Sequence, residues 1–336
     1  MQANYPLVSI VIPMLNEISA IERCIRSIEE QDYPQDRIEI LVVDGLSTDG
    51  SRERVLEMAK TAGNLRLLDN PAKRTPTSLN LGAKSSRGDV VIILGAHTRI
   101  KSDFVRLNIH YLQTLKVPCV GGTQINTGDT FMQTAIGCAM GSRFGIPSAP
   151  YRFDKKARFV DTVVYAAYKK ELFEQVGYFD EELHIAEDAE FNWRIRQAGH
   201  KIYFTPDIVS YYYPRKNLVQ LAKQFFNYGI LRVNVVKKHG NAVKLLHIIP
   251  PLFLLSSLLL AGWGLSQPAA WRMLAGLWLV YALYIAAASF ITACQSRTMA
   301  MILVLPLVFM VMQISWAAGF LVGIVKTQRS PVAPCI

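Results

Sequence analysis

Residues 38–51 read IEILVVDGLSTDGS, and the change of character within this stretch decides the fold. Ile38–Asp44 is a nearly unbroken apolar, β-branched run, as a strand covered on both faces requires, and the Ser, Thr, Asp and Gly that follow make a turn. Beyond the turn, Val55, Met58 and Ala59 fall at helical spacing. The same order comes earlier, in VSIVIP (8–13) with Ile21, Cys24, Ile25 and Ile28 after it, and again later, in LRLLDN (65–70), a helix around Leu79–Ala83 and DVVIILG (89–95). Repeated units of this kind predict an α/β fold, a mostly parallel sheet with flanking helices. Ligands of such sheets bind beyond the carboxyl ends of the strands.

At those ends stand Pro13, Asn16 and Glu17, then Asp44, Ser47, Thr48 and Asp49, then Gly95, Ala96 and His97. The marker residues of the common dinucleotide, P-loop, metalloprotease and hydrolase sites are missing from the sequence. A nucleotide is then left to a carboxylate on its base or ribose and to backbone amides on its phosphates. Asp44 and Asp49 also read as caps of the turn and the next helix. The turn favours that reading for Asp49; the buried strand end favours a ligand for Asp44.

The 336 residues are 51% hydrophobic, too apolar for an ordinary soluble enzyme. Charged residues recur until Lys244, after which Ile248–Leu265, Met273–Ala293 and Met299–Val325 contain none. Each is near the roughly 20 residues that cross a bilayer core, so about three transmembrane helices are expected. Pro250 and Pro251 break the start of the first, which also suits a re-entrant or interfacial segment. The expected layout is a cytoplasmic catalytic domain over 1–215, an interfacial region over 216–247 and a membrane region over 248–336. Within Asn217–His239, Leu218, Leu221, Phe225, Tyr228 and Leu231 alternate with basic residues, as on an amphipathic interfacial helix.

The formal net charge is +10, and Lys237, Lys238, His239 and Lys244 gather just before the first membrane stretch, where anionic headgroups attract them. No nucleic-acid motif accompanies the basic balance, so a nucleic-acid partner is not expected. The N-terminal MQANYPLVSIVIP lacks a basic region ahead of its apolar run, unlike a secretion signal, which predicts a cytoplasmic catalytic part. Five scattered cysteines without a CxxC pair predict neither a zinc site nor a disulfide framework.

Taken in order, VSIVIPMLNE (8–17), VVDGLSTDGS (42–51), RTPTSLNLGAKSSRGDVVIILGAHT (74–98), FVDTVVYAAYKKELFEQVGYFDEEL (159–183), EDAEFNWRIRQAGHKIYFTPDIVSYYYPR (187–215) and LAKQFFNYGILR (221–232) resemble the family 2 inverting glycosyltransferases of GT-A fold. Within them the chain resembles the type that builds succinoglycan and similar exopolysaccharides. The resemblance covers about residues 6–240 and implies a UDP- or GDP-sugar donor and a polyprenyl-linked glycan acceptor at a bacterial inner (plasma) membrane. It implies that Pro13, Glu17, Asp44 and Arg74 line the nucleotide site. It also implies a DxD or DxH triplet after the fourth strand, whose carboxylate helps hold a divalent metal, Mn or Mg. The triplet here is Gly95-Ala96-His97, which leaves metal dependence open, with His97 as the remaining donor and Mn as the better match to an imidazole.

Transfer with inversion is one in-line displacement and needs one carboxylate to take the acceptor's proton. Asp188, in the run AEDAEFNW, is the candidate; its bland alternative is a helix-capping acid. Arg215 and Arg232 are candidates for the diphosphate or acceptor phosphate, or else anchors facing headgroups. The three residues Asp44, His97 and Asp188 are thus expected around one cleft. Two other readings stay open: a catalytically silent nucleotide- or glycan-binding membrane scaffold, which the missing carboxylate at position 95 favours, and a polyprenyl-phosphate glycosyltransferase. The QxxRW signature of processive synthases is absent, since Gln224 leads into FFNYG.

Overall fold

The computed structural model describes residues 5–182, 187–238 and 245–325. Ala186, His239 and Lys244, which figured in the sequence reading, lie outside them. Two compact units emerge: 5–125 with 151–212, and 126–150 with 213–325.

In chain order the first unit starts with β1 (Val8–Met14), α1 (Ile21–Glu29), β2 (Ile38–Asp44), α2 (Ser51–Ala59), β3 (Leu65–Asp69), α3 (Thr75–Ser85) and β4 (Val90–Ile93). Next come β5 (Thr98–Ile100), α4 (Phe104–Thr114) and β6 (Cys119–Asn126). Helix α5 (Phe131–Met140) belongs to the second unit. The first unit resumes with β7 (Arg158–Val160), β8 (Ala167–Lys169), α6 (Glu171–Val176), α7 (Glu187–Gln197) and β9 (Ile202–Tyr212).

One sheet runs β3-β2-β1-β4-β8-β6-β9-β5, with β7 also on β9. The expected parallel part is present as β3, β2, β1 and β4. Pairs β4–β8, β6–β8, β5–β9 and β7–β9 are antiparallel, so the sheet is mixed, a feature the sequence reading did not anticipate. Three of these strands have three residues each, too few to display a period.

Burial on both faces explains the apolar strand runs. Ile10, Ile12, Ile40 and Val42 pack on one side with Ile25 of α1 and Phe104 of α4. Val11, Leu41 and Val43, offset by one residue, pack on the other with Leu79 of α3 and Phe191 of α7. Each such side chain contributes about 1.5–3 kcal/mol over leaving it in water. Cys24 and Cys119 are buried here and burial pushes both thiols up, Cys24 to about 12, in keeping with small hydrophobes rather than reactive groups.

The second unit joins α5 to α8 (Leu218–Lys238), α9 (Ile249–Gly264), α10 (Pro268–Gln295) and α11 (Leu305–Val325). Helices α10 and α11 are long and apolar enough to cross a membrane, whereas α9, with 16 residues, is shorter. Two of the three expected spans therefore meet the length criterion. Only 17% of α10's apolar window is buried, so this helix leaves most of its hydrophobic surface uncovered, as a membrane span does, whereas α11, at 33%, is partly covered by its neighbours.

Helix α8 buries Leu221, Phe225 and Leu231 and packs lengthwise on α11. Small residues permit the approach: a Cβ on Gly229 would collide with the Trp316 carbonyl, and one on Gly319 with that of Phe226. Lys237 Nζ donates to the carbonyls of Gly323 and Ile324 at 2.9 and 3.2 Å, closing the end of α11.

Candidate active site

The register aligns Met14 of β1, Asp44 of β2 and Asp69 of β3 in one row, and Val11 with Ile93 of β4. The loops leaving these strands share one edge of the sheet. An open depression of about 610 Å³, lined by Glu29, Gln35, Asp36 and Asn64, lies at the opposite edge, where β2 and β3 begin.

The first two loops are stitched together. Asn16, in the left-handed region at φ 55°, accepts from the Thr48 amide through Oδ1 at 2.9 Å, and its own amide donates to Ser47 Oγ at 2.9 Å. The Glu17 amide donates to Ser51 Oγ at 2.8 Å. Asp49 accepts from the amides of Ile18 and Ser51, each at 3.0 Å, and from the Ser51 hydroxyl. Burial pushes the Asp49 pKa up, but these bonds outweigh it and hold the carboxyl below its usual range. Asp49 thus holds the turn, as its place in LSTDGS suggested.

Asp44 has no exposed surface. Its Oδ1 accepts from the Ser47 hydroxyl at 2.6 Å and the Ser47 amide at 3.1 Å, and its Oδ2 faces Arg52 at 3.2 Å. Arg52 also bonds Asp69 at 2.6 Å. What reaches solvent at this corner is therefore Arg52 and Asp69, with side chains 30% and 53% exposed, over a buried Asp44. Neither was singled out from sequence; Asp69 ends a strand just as Asp44 does, whereas Arg52 belongs to no motif. Pro13 is half-buried opposite Val43, and Arg74 is exposed at the start of α3, its carbonyl accepting from Asn70 Nδ2 at 2.9 Å.

Past β4, His97 Nδ1 lies 3.2 Å from Glu17 Oε1, and its ring meets Tyr212 edge-on at 5.2 Å. The Arg152 guanidinium sits 5.7 Å from the centre of the Tyr212 ring and 5.5 Å from that of Tyr151. Burial raises the Tyr151 phenol's pKa; the Arg152 charge lowers it and the Asp188 charge raises it. A line of contacts thus runs from Glu17 through His97, Tyr212 and Arg152 to Tyr151, in the same unit as Asp188. The aromatic members and Arg152 carried no sequence signal.

Asp188 lies in the first turn of α7, its Oδ1 accepting from the Ala189 amide at 2.7 Å. Phe191 and Ile195 of the same helix are fully buried. Three anchors fix the helix. Asn192 donates to Thr162 Oγ1 at 2.9 Å and the Val163 carbonyl at 3.0 Å; Arg194 pairs with buried Glu190 at 2.8 Å and donates to the Tyr178 carbonyl at 2.7 Å. Asn80 of α3 clasps the preceding loop, donating to the Phe179 carbonyl at 2.9 Å and accepting from its amide at 2.8 Å. Glu187 is pushed well above the usual carboxylate range, first by burial and then by the Asp188 charge.

Arg215 and Arg232 both belong to the second unit, Arg215 ahead of α8 and Arg232 within it.

The donors for a divalent metal are few. Among the described residues no three His, Cys, Asp or Glu side chains converge. The triplet contributes His97 alone, with Glu17 beside it. A Cβ on Gly95 would stand 3.2 Å from Tyr165 Oη and 3.3 Å from Thr98 Oγ1, so polar side chains already adjoin the place a carboxylate would leave the backbone. Among the described residues one imidazole beside one carboxylate is short of the oxygen donors that hold Mg2+, so this donor set fits a divalent metal poorly.

Known proteins resemble the chain in sequence and fold. The family model described as Glycosyl transferase family 2 matches residues 9–177. A Methanococcus voltae protein, dolichyl N-acetyl-alpha-D-glucosaminyl phosphate 3-beta-D-2,3-diacetamido-2,3-dideoxy-beta-D-glucuronosyltransferase, is 31% identical over 263 residues, covering 76% of this chain and 82% of that protein. The succinoglycan biosynthesis protein ExoA of Rhizobium meliloti is 30% identical over 246 residues, 72% of this chain and 73% of its own. Among solved structures, the mannosyltransferase PcManGT from Pyrobaculum calidifontis, in complex with GDP-Man and Mn2+, has a TM-score of 0.61 at 22% identity, over 96% of this chain and 88% of its own, a likeness of fold.

Proposed function

We propose, given that the chain belongs to glycosyl transferase family 2, that it moves a hexose from a UDP- or GDP-sugar onto a polyprenyl-linked glycan, with inversion, in extracellular polysaccharide assembly. The relatives' names support the acceptor class: one acts on a dolichyl-phosphate-linked sugar, the other serves succinoglycan biosynthesis. The fold neighbour's GDP-Man supports a sugar-nucleotide donor.

In this reading the nucleoside lies at the β1–β2–β3 edge, between Pro13, Glu17 and Arg74, over the corner that Asp44 braces through Ser47 and Arg52. The acceptor hydroxyl attacks the anomeric carbon as the carbon–oxygen bond to diphosphate breaks, the bonding pair leaving on the phosphate oxygen. Asp188 takes the hydroxyl proton. Raised Glu187 favours its neutral form, which keeps a second negative charge away from the attacking oxygen. The observation that carries this reading is the line of contacts from Glu17 and His97 through Tyr212 and Arg152 to Tyr151, in the same unit as Asp188. Arg215 and Arg232 are reserved for the acceptor's phosphate, and the two apolar helices for the bacterial plasma membrane, with the first unit on the cytoplasmic side, where Lys237 favours the start of the membrane region.

Gly95 favours a second reading, a silent homologue that binds without turnover. Purified full chain in vesicles bearing polyprenyl-linked glycan, given a panel of UDP- and GDP-sugars, separates the two. Acceptor-dependent release of nucleoside diphosphate from one donor is expected; donor binding with no release from any of them would leave the scaffold.

A further inference from the structure

The leaving diphosphate gathers negative charge, which a metal or a fixed cation must meet. Around the triplet the sheet edge offers few metal donors, since Gly95 carries none and Tyr165 and Thr98 adjoin it. A cation is nevertheless built into the same neighbourhood. Arg152 is seated over two aromatic rings, Tyr212 and Tyr151; the first touches His97, and the phenol of the second feels Asp188.

We propose that Arg152 supplies the positive charge for the leaving diphosphate, in place of a divalent metal. The inference rests on the transferase reading for its reaction and on the aromatic seat for its geometry. A guanidinium binds phosphate oxygens in a fork, keeps its proton at any working pH, and loses little freedom when rings already hold its plane. In the step itself the electron pair of the broken bond goes to the diphosphate oxygen, the acceptor's proton goes to Asp188, and Arg152 forms charge-assisted hydrogen bonds to the product without giving up a proton.

Two arms test this on the full chain. In the first, release of nucleoside diphosphate is followed with EDTA or with added Mn2+ or Mg2+, for the wild type, Arg152→Lys and Arg152→Met. The expected result is a wild-type rate unchanged within about twofold by EDTA, and a loss on the order of 10²–10³-fold in Arg152→Met, the size seen when one transition-state donor is removed. In the second arm, calorimetry compares UDP and GDP with uridine and guanosine. Arg152→Met weakens the diphosphates by about tenfold or more and leaves the nucleosides alone, and Arg152→Lys falls between, since its ammonium keeps the charge but not the fork. EDTA that abolishes release with Mn2+ restoring it, or diphosphate affinity unchanged in Arg152→Met, overturns the proposal. If the wild type turns over no donor, the transferase reading falls, and the affinity difference between diphosphate and nucleoside still decides the role of Arg152. Should Arg152→Met not fold, the lysine variant carries the same comparison.

Discussion

Asp188→Asn slows transfer by about 10²–10⁴-fold, the usual worth of a positioned general base, and leaves donor affinity within about twofold. The substitution is nearly isosteric, and the amide oxygen still accepts from the Ala189 amide, so α7 keeps its start. Phe191 and Ile195 stay buried, Asn192 and Arg194 stay bonded, and the helix has no reason to shift. What disappears is the capacity to accept a proton. In barrier terms the loss corresponds to about 3–5 kcal/mol. Single-turnover release of nucleoside diphosphate measures it, with calorimetry of the donor as control. An Asp188→Asn protein that transfers at near the wild-type rate makes Asp188 a mere cap; one that no longer binds donor makes it a binding residue.

Gly319→Leu unfolds or loosens the second unit, lowering its thermal midpoint by on the order of 10 °C or more, because overpacking against backbone costs several kcal/mol. The collision is with the Phe226 carbonyl, part of a rigid helix, and α8 cannot yield by turning a side chain. Gly229 makes the reciprocal approach to Trp316, so the seam has no slack on either helix. The matched control is Gly276→Leu on α10, where an added Cβ meets nothing within 4 Å and which should melt like the wild type. Scanning fluorimetry in detergent measures both. Equal midpoints for the two variants contradict a tight α8–α11 seam.

The parallel half of the sheet was legible because its strands are buried on both faces and therefore apolar at most positions, as Ile38–Asp44 shows. The antiparallel half was not, because β5, β7 and β8 are three-residue strands whose pairing is decided by partners far along the chain. Residues 126–150 read as part of the catalytic domain, yet α5 packs on α10 and α11; a ten-residue apolar helix does not announce its partner. The α8–α11 seam did have a signal, Gly319 and Gly323 spaced four apart in an apolar helix.

Of the candidate residues, those that end strands or open helices, namely Pro13, Glu17, Asp44, His97 and Asp188, could be singled out because such positions follow from local pattern. Asp44 proved to lie under Arg52, a relation between an acid and a base eight residues apart that only the turn creates. Tyr151, Arg152, Tyr165 and Tyr212 escaped because their grouping is tertiary and aromatic residues are ordinarily core.

The central claim is spatial: one sugar nucleotide reaches from the Asp44 corner to Asp188. A structure of the full chain with an unreactive donor analogue bound tests it most directly. The account predicts the base between Pro13, Glu17 and Arg74, the diphosphate against Arg152, and the anomeric carbon facing the Asp188 carboxylate with room for one hydroxyl. A donor bound with its sugar directed away from Asp188, or lodged at the other edge of the sheet, contradicts it.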